Sequence, residues 1–411
     1  MRKILFITRP INEKYNEGSK NLFKELFKKN KNYYFFTDSL KYSNSYENCF
    51  YLKYNWDSLY QKAMYLKQIL KMNLNNFNKI VIGFVPNKKN IFCLNLIFKL
   101  KRYSKDDIIQ FVPSIEENNG KVIGKKVITL SESTKERILK KNKVDEIIKL
   151  RPFINYKYWD KEEKIRKETN YWRKKLKKTD DRIVSYFGEY SERLGSIEFL
   201  KKLICNIKKE NEEIKIILAC RIFSKKEKEK EKKLKEHFIK KGIKNIYFYN
   251  EVRKIRGLLN ISDITLFPAT KNKGKFDIPL VILESLYLGK KTMVSKIPPY
   301  DEIYDFNNLS LLENKIDKWE EEIMSDYNNV KIKKEFKKIY SLNKFNKKLE
   351  DLIKDKKLFI KFKKDMKEVQ ILLKRNKIKF TFLKSYRLNI NYFDSNIDIL
   401  VLKEDLKKLD K

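Results

Sequence analysis

Twice along the chain, short runs of apolar residues alternate with stretches in which apolar residues recur at helical spacing. In the first series the strand-like runs are 4–8, 33–36, 79–85, 108–113, 126–130 and 146–150, with helical stretches at 21–27, 56–71 and 90–103. Runs that are apolar at successive positions belong to strands covered on both faces, and strands separated by helices pair in parallel. The alternation restarts with strand 182–188, helix 196–209, strand 214–220 and a Lys/Glu helix over 224–240. It continues with strand 245–249, helix 252–260, strand 264–267 and strand 291–295. Between the two series, residues 156–180 are heavily charged, Trp159 and Trp172 are interspersed, and the strand pattern stops. The pattern predicts two doubly wound α/β domains joined by one linker, with a ligand cleft between the carboxyl ends of their strands.

The 411 residues are 42% hydrophobic, enough for two cores and too apolar for a disordered polycation. The net charge of +41 leaves three readings open: a compositional bias toward Lys, attraction to an anionic membrane surface, or nucleic acid. Much of it lies in Lys/Glu mixtures such as 225–233, the pattern of a solvated helix face. The chain lacks basic–aromatic RNA motifs and a recognition helix, so a nucleic-acid partner is not expected. Cys49, Cys93, Cys205 and Cys220 are scattered without paired spacing, which predicts reduced, buried thiols and no zinc site. The apolar run at the N-terminus is too short for a signal peptide, and no run approaches the ~18 residues of a transmembrane helix. The expected location is cytoplasmic, with any membrane contact peripheral.

The segment 263–302 carries the chemistry. Asp263-Ile-Thr-Leu-Phe-Pro268 reads as a buried strand, and Asp277-Ile278-Pro279-Leu280-Val-Ile-Leu-Glu284 reads as the entry to a helix. A strand feeding a helix N-terminus is an anion site, because unpaired N–H groups and the helix dipole point at the ligand. A carboxylate about one turn in, Glu284, can accept hydroxyl hydrogen bonds from a ribose or sugar.

Other segments fall in register with this one. They are Val127-Ile-Thr-Leu-Ser131-Glu132, then Arg151-Pro-Phe-Ile-Asn155, then Val184-Ser-Tyr-Phe-Gly188-Glu-Tyr-Ser-Glu-Arg193-Leu-Gly195, and Pro298-Pro-Tyr-Asp-Glu302-Ile. With them, residues 1 to about 350 resemble the GT-B glycosyltransferases, specifically the retaining group called glycosyltransferase family 4 or glycosyl transferases group 1. The resemblance implies a Rossmann-like acceptor domain over 1–160 and a Rossmann-like nucleotide-sugar donor domain over 161–341. A return helix over 342–356 would pack back toward the first domain. It also implies a hexosyltransferase-type enzyme that moves a sugar from a nucleoside-diphosphate-sugar to a glycan, lipid-linked or protein acceptor, with retention and without a metal or other cofactor.

The resemblance assigns Glu284 to the donor ribose, and the stretch Asp277, Ile278, Pro279 and Leu280 to the donor site. Gly18 and Ser19, after the first strand, stand where the family's backbone approaches the donor, although Gly18 also reads as a plain loop glycine. Gly188 and Gly195 belong to the loop that opens the donor domain. Ser114 and Glu116 follow a strand at its cleft end and are candidates for touching acceptor hydroxyls.

The chain also departs from the family. The first of the family's two glutamates falls on Phe276, with Asp277 beside it as a partial replacement or, on the favoured reading, only a helix cap. The usual Gly-Arg is Gly188-Glu189, and the usual Lys-Gly is Leu194-Gly195. The cationic clamp on the diphosphate then falls to Arg193, Arg221 or Lys275, each of which also reads as a surface charge. Arg193 and Asp277 join Glu284 as candidate catalytic residues. The single histidine, His237, lies in the Lys-rich helix, which argues against a histidine general base. These departures keep open a catalytically inactive GT-B-like binding protein.

Residues 357–411 resemble a partial nucleotidyltransferase-like module, a small α/β extension. Lys384 stands for its glycine and Asn396 for the first of two metal-binding acids, leaving Asp398 alone, so no activity is expected there.

Overall fold

The structure, a computed structural model, describes residues 3–354 apart from 13–17, 53–58, 116–120, 178–180, 223, 251, 273–275, 328–329 and 331, together with the backbone of 380–382 and 399–401. The first lobe runs β1 (Ile4–Thr8), α1 (Gly18–Lys29), β2 (Tyr33–Thr37), α2 (Leu40–Ser45), β3 (Cys49–Tyr51), α3 (Leu59–Lys71), β4 (Lys79–Gly83) and α4 (Lys88–Leu100). It closes with β5 (Ile108–Val112), β6 (Lys126–Thr129), α5 (Glu132–Leu139) and β7 (Glu146–Lys149). Its seven strands are all parallel, in the order β3-β2-β1-β4-β5-β6-β7. β1, β4 and β5 are buried along their whole length, as strands covered on both faces must be. α1 packs on one face through Leu22, Phe23 and Leu26, and α3 and α4 pack on the other through Tyr65, Ile69, Leu94 and Phe98.

The charged interval is helical: α6 (Tyr156–Trp159) and α7 (Glu162–Lys175). Its tryptophans are core residues, since Trp159 and Trp172 sink into the second lobe. That lobe continues with β8 (Ile183–Glu189), α8 (Ser196–Glu210), β9 (Lys215–Arg221), α9 (Lys225–Lys240), β10 (Ile246–Tyr249), α10 (Ile255–Ile261) and β11 (Ile264–Phe267). Then come α11 (Leu280–Tyr287), β12 (Lys291–Ser295), β13 (Leu309–Leu312), α12 (Ile316–Met324) and α13 (Lys333–Ile339). Its six strands are also parallel, in the order β10-β9-β8-β11-β12-β13. α8, α9 and α12 cover one face, and α7, α10, α11 and α13 cover the other.

α14 (Leu342–Ile353) starts at the N-cap Ser341, whose hydroxyl accepts the Lys344 amide. Its Phe345, Leu349, Leu352 and Ile353 fall on one face and enter the core of the first lobe beside Phe6 and Phe111. Two further strands, β14 (Phe380–Phe382) and β15 (Ile399–Val401), pair antiparallel. The expectations for Lys384, Asn396 and Asp398 lie outside the described residues.

Several short elements escape the sequence pattern, among them two strands and a helix of the first and second lobes. β3 and β13 are edge strands whose residues are mostly half-buried, so their apolar signal is weak. α2 is a six-residue helix with no buried residue, set by Ser39 accepting the Tyr42 amide. The thiols also correct the expectation of burial. Cys205 and Cys220 are buried, but Cys49 and Cys93 are only half-buried because one lies on an edge strand and the other on the flank of α4.

Candidate active site

In each sheet the strand order reverses at one point, between β1 and β4 in the first lobe and between β8 and β11 in the second. Loops leaving the carboxyl ends of the strands there splay to opposite faces and leave a crevice. The lobes meet at these crevices. A Cβ built on Gly18, the first residue of α1, would lie 3.6 Å from Leu280 Cγ and 3.9 Å from Phe276. Two helix N-termini therefore converge across the junction. Neither has an acidic residue in its first turn, and α11 has no side-chain cap, although its third amide, Ile282, donates to Pro279 O at 3.1 Å; the positive dipole end of each helix therefore faces the junction without a carboxylate of its own first turn. Ser19 lies one position into α1 and is half-buried.

Asp277 corrects the expectation of a helix cap. Ile278 precedes a proline, which disfavours helical geometry there, and the N-cap is Pro279 itself. This leaves Asp277 two residues short of the cap. It is buried, its amide donates to Pro113 O at 3.0 Å, and its Oδ2 accepts from Ser131 Oγ at 2.5 Å. Ser131 is also the N-cap of α5, where its Oγ accepts the Thr134 amide at 3.1 Å. Burial, with the Glu302 carboxylate adding to it, pushes the Asp277 carboxyl up to about 7 against the Ser131 and Thr134 hydrogen bonds.

The neighbouring Phe276, at the family's first-glutamate position, packs against the cores of both lobes. The two positions that could carry that acid are thus committed to holding the lobes together.

Glu302 makes the other half of the junction. The loop after β12 carries it across to the first lobe, where Oε2 accepts the Glu132 amide at 2.6 Å and Oε1 the Ser133 amide at 2.9 Å. Lys149 Nζ, at the end of β7, donates to the same carboxylate at 3.0 Å. A carboxylate of one lobe therefore caps the first turn of a helix in the other, a strong charge-assisted arrangement. Sequence reasoning passed over this residue. Its only signal was the Glu302-Ile pair at the end of the family-like block.

Glu284 is the fifth residue of α11 and is buried. Burial pushes the linker's Tyr158 hydroxyl up to about 12 against the pull of Arg256, and the charges of Glu168 and Glu284 add to it. The linker is fastened to the same helix, because Tyr287 donates to Asp160 Oδ1 at 2.6 Å and Lys337 of α13 donates to Asp160 Oδ2 at 2.7 Å.

Gly195 has φ +69° and stands at the N-cap of α8, where a Cβ would meet Thr270 Oγ1 at 2.0 Å. The Thr270 amide donates to Leu194 O at 2.8 Å, so the β8–α8 loop is tied to the loop that precedes α11. Gly188 has a different reason for being glycine. It lies within β8, and a Cβ there would collide with the buried Tyr186 hydroxyl at 2.2 Å. Glu189, where the family has arginine, is buried, and it is in register with Arg221 on β9.

Arg193 is exposed in the turn before Gly195. Ser114 is fully buried beside Pro113, so in this arrangement its hydroxyl does not face solvent. Ile278 and Leu280 are buried and Pro279 is half-buried. Lys275 and Glu116 lie outside the described residues. His237 lies against Cys205 Sγ at 3.6 Å, on the face of the second sheet opposite α11. Among the described residues, no group of three or more His, Cys, Asp or Glu is placed to hold a metal ion.

Comparison with known proteins agrees with this architecture. Residues 168–369 match the family model described as glycosyl transferases group 1. None of the curated protein sequences compared matches the chain. Among solved structures, HepE from Anabaena in complex with UDP and glucose aligns at TM-score 0.66 and 13% identity, over 86% of this chain and 100% of that one. Sucrose-phosphate synthase from Thermosynechococcus elongatus aligns at TM-score 0.64 and 11% identity, over 87% and 100%. UDP-GlcNAc 2-epimerase from Neisseria meningitidis, bound to UDP-GlcNAc, aligns at TM-score 0.51 and 12% identity, over 85% and 99%. A synthase and an epimerase share this architecture, so the likeness speaks to fold and not to reaction. In fold the chain is a GT-B protein, and over residues 168–369 it is similar in sequence to the glycosyl transferases group 1.

Proposed function

We propose that the protein transfers a sugar from a nucleoside-diphosphate-sugar, with the donor held at the junction of the two lobes. The observation that carries this reading is the convergence of the α1 and α11 N-termini at paired switch points, with a buried carboxylate one turn into α11. Two positive helix ends suit a diphosphate, and Glu284 suits the ribose hydroxyls. Two of the structural neighbours were solved with UDP or a UDP-sugar, which supports a nucleotide-sugar as the ligand.

The reaction we infer retains the anomeric configuration. The acceptor hydroxyl attacks the anomeric carbon from the side the diphosphate leaves, and a departing phosphate oxygen takes its proton. The chain positions both reactants and stabilises charge on the leaving group, the role of the two helix ends with Arg193, Arg221 or Lys275. Neither a histidine base nor a metal has a part in this scheme. The acceptor is a glycan, a lipid-linked sugar or a protein.

A second reading has its own observation. Phe276 fills the family's first-acid position and Asp277 is taken up by Ser131, the arrangement expected of a GT-B protein that binds a nucleotide-sugar without turning it over. A thermal-shift screen against nucleoside diphosphates and their sugars tests the shared claim. A ligand at a hundredfold excess over its Kd adds about 2.7 kcal/mol, and the absence of any shift across the panel refutes both readings. Hydrolysis or transfer with the binding donor then separates enzyme from binder.

A further inference from the structure

α4 carries a feature that the donor site does not use. Phe92, Leu96 and Leu100 are 69%, 49% and 63% exposed, while Ile91, Leu94, Ile97 and Phe98 of the same helix are buried in the core. They recur every fourth residue and form a single apolar line about 12 Å long on the outer surface. Lys88, Lys89 and Lys99 are exposed on the same side of the helix. The adjoining α3 repeats the arrangement, with exposed Leu70 beside Lys67 and Lys71.

The charge on this face differs in kind from that on the Lys-rich α9. α9 interleaves its lysines with glutamates and pairs them, as in Lys235–Glu231 at 3.0 Å. α3 and α4 contain no acidic residue at all. The acids that follow α4 are already held, Asp106 by Lys125 and Asp107 by Lys79.

We propose that the α3–α4 face is a docking surface for an anionic lipid bilayer, on which α4 lies parallel to the membrane. Apolar side chains that enter the boundary between headgroups and acyl chains, rimmed by lysines whose ammonium groups reach back to lipid phosphates, are the arrangement of an interfacial helix. A second copy of the chain is disfavoured as occupant, because two such faces would bring like charges together. A nucleic-acid backbone would satisfy the lysines and leave the Phe92–Leu96–Leu100 line in water. α4 follows the carboxyl end of β4, the edge of the sheet from which β1, β5 and β6 also send their loops to the interlobe junction. A membrane on this face would present a lipid-borne acceptor to that junction, a consequence that rests on the proposed function although the docking itself does not.

The test is sedimentation of the full chain with phosphatidylcholine vesicles and with phosphatidylglycerol-rich vesicles, at low and high salt and without a donor. Binding to the anionic vesicles alone, weakened by salt, is expected. Each lysine near such a surface contributes about fivefold to partitioning, so Lys88→Ser/Lys89→Ser/Lys99→Ser should lower it about a hundredfold. Phe92→Ser/Leu96→Ser/Leu100→Ser should lower it about tenfold while the remaining binding stays salt-sensitive. All six side chains are exposed, and unchanged thermal melts confirm that the variants fold. Failure to sediment with anionic vesicles overturns the proposal, as does wild-type binding by either triple variant. Tight binding to a DNA or RNA oligonucleotide that the lysine variant loses and the apolar variant keeps, without vesicle binding, makes the face a nucleic-acid surface. Self-association abolished by the apolar variant, again without vesicle binding, makes it a contact between copies.

Discussion

Replacing Asp277 by Asn tests whether the lobe junction is built around a carboxyl group kept from water. Burial holds its pKa at about 7, against 3.8 for an ordinary aspartate. Between those values the folded chain keeps a proton that the unfolded chain has released. Stability therefore declines as pH rises from about 4 and levels off above about 7. The full shift of about three units corresponds to about 4 kcal/mol, of which about 3 kcal/mol falls between pH 5 and pH 8. Opening of the junction, which would let water reach the carboxylate, sets a ceiling on that cost. Asparagine is neutral throughout and keeps an oxygen to accept from Ser131 Oγ, so its own offset does not vary with pH. Thermal melts of both proteins at pH 5 and pH 8 isolate the effect, because every other titrating group cancels in the difference. Relative to wild type, Asp277→Asn should gain about 3 kcal/mol between the two pH values, or about 4 °C in Tm for a chain of this size unfolding as one unit. A difference that does not change with pH would mean that this carboxylate is hydrated, and the packing of the junction would have to be redrawn.

Glu284→Ala should remove ribose hydrogen bonds worth about 2–4 kcal/mol, a loss of roughly 30- to 1,000-fold in nucleoside-diphosphate affinity. Calorimetric titration with UDP and GDP reads it directly, and unchanged affinity would take the ribose away from this residue. Glu302→Gln keeps the shape of the interlobe cap but removes the charge facing the α5 N-terminus and Lys149. It should cost about 1–2 kcal/mol, with faster hydrogen exchange at the Glu132 and Ser133 amides. Unaltered protection of those two amides would show that the cap is not what orders the first turn of α5.

The two-lobed α/β plan was legible because it depends on local pattern. Strands such as Ile4–Thr8, Lys79–Gly83 and Ile108–Val112 are apolar along nearly their whole length, and α14 shows its buried face at regular spacing. The exceptions show where pattern ends. Lys79, Lys215 and Lys291 begin buried strands, and each is tolerated only because its ammonium reaches Asp107, Asp181 or Glu322 close by. The partial match to glycosyl transferases group 1 was legible too, since the order of its motifs is a property of the chain alone.

What each site residue does was decided by the tertiary structure. Nothing local to Asp277 says that Ser131 will meet it 146 positions away. Nothing around Glu302 announces that it caps a helix of the other lobe. Gly188 and Gly195 look alike in sequence, yet one is required by the Tyr186 ring and the other by a left-handed turn beside Thr270. The periodicity of a strand or helix is written in neighbouring residues, because it reflects which faces are buried. A carboxylate's role depends on the partner and the dielectric that folding brings to it, and residues distant along the chain supply both.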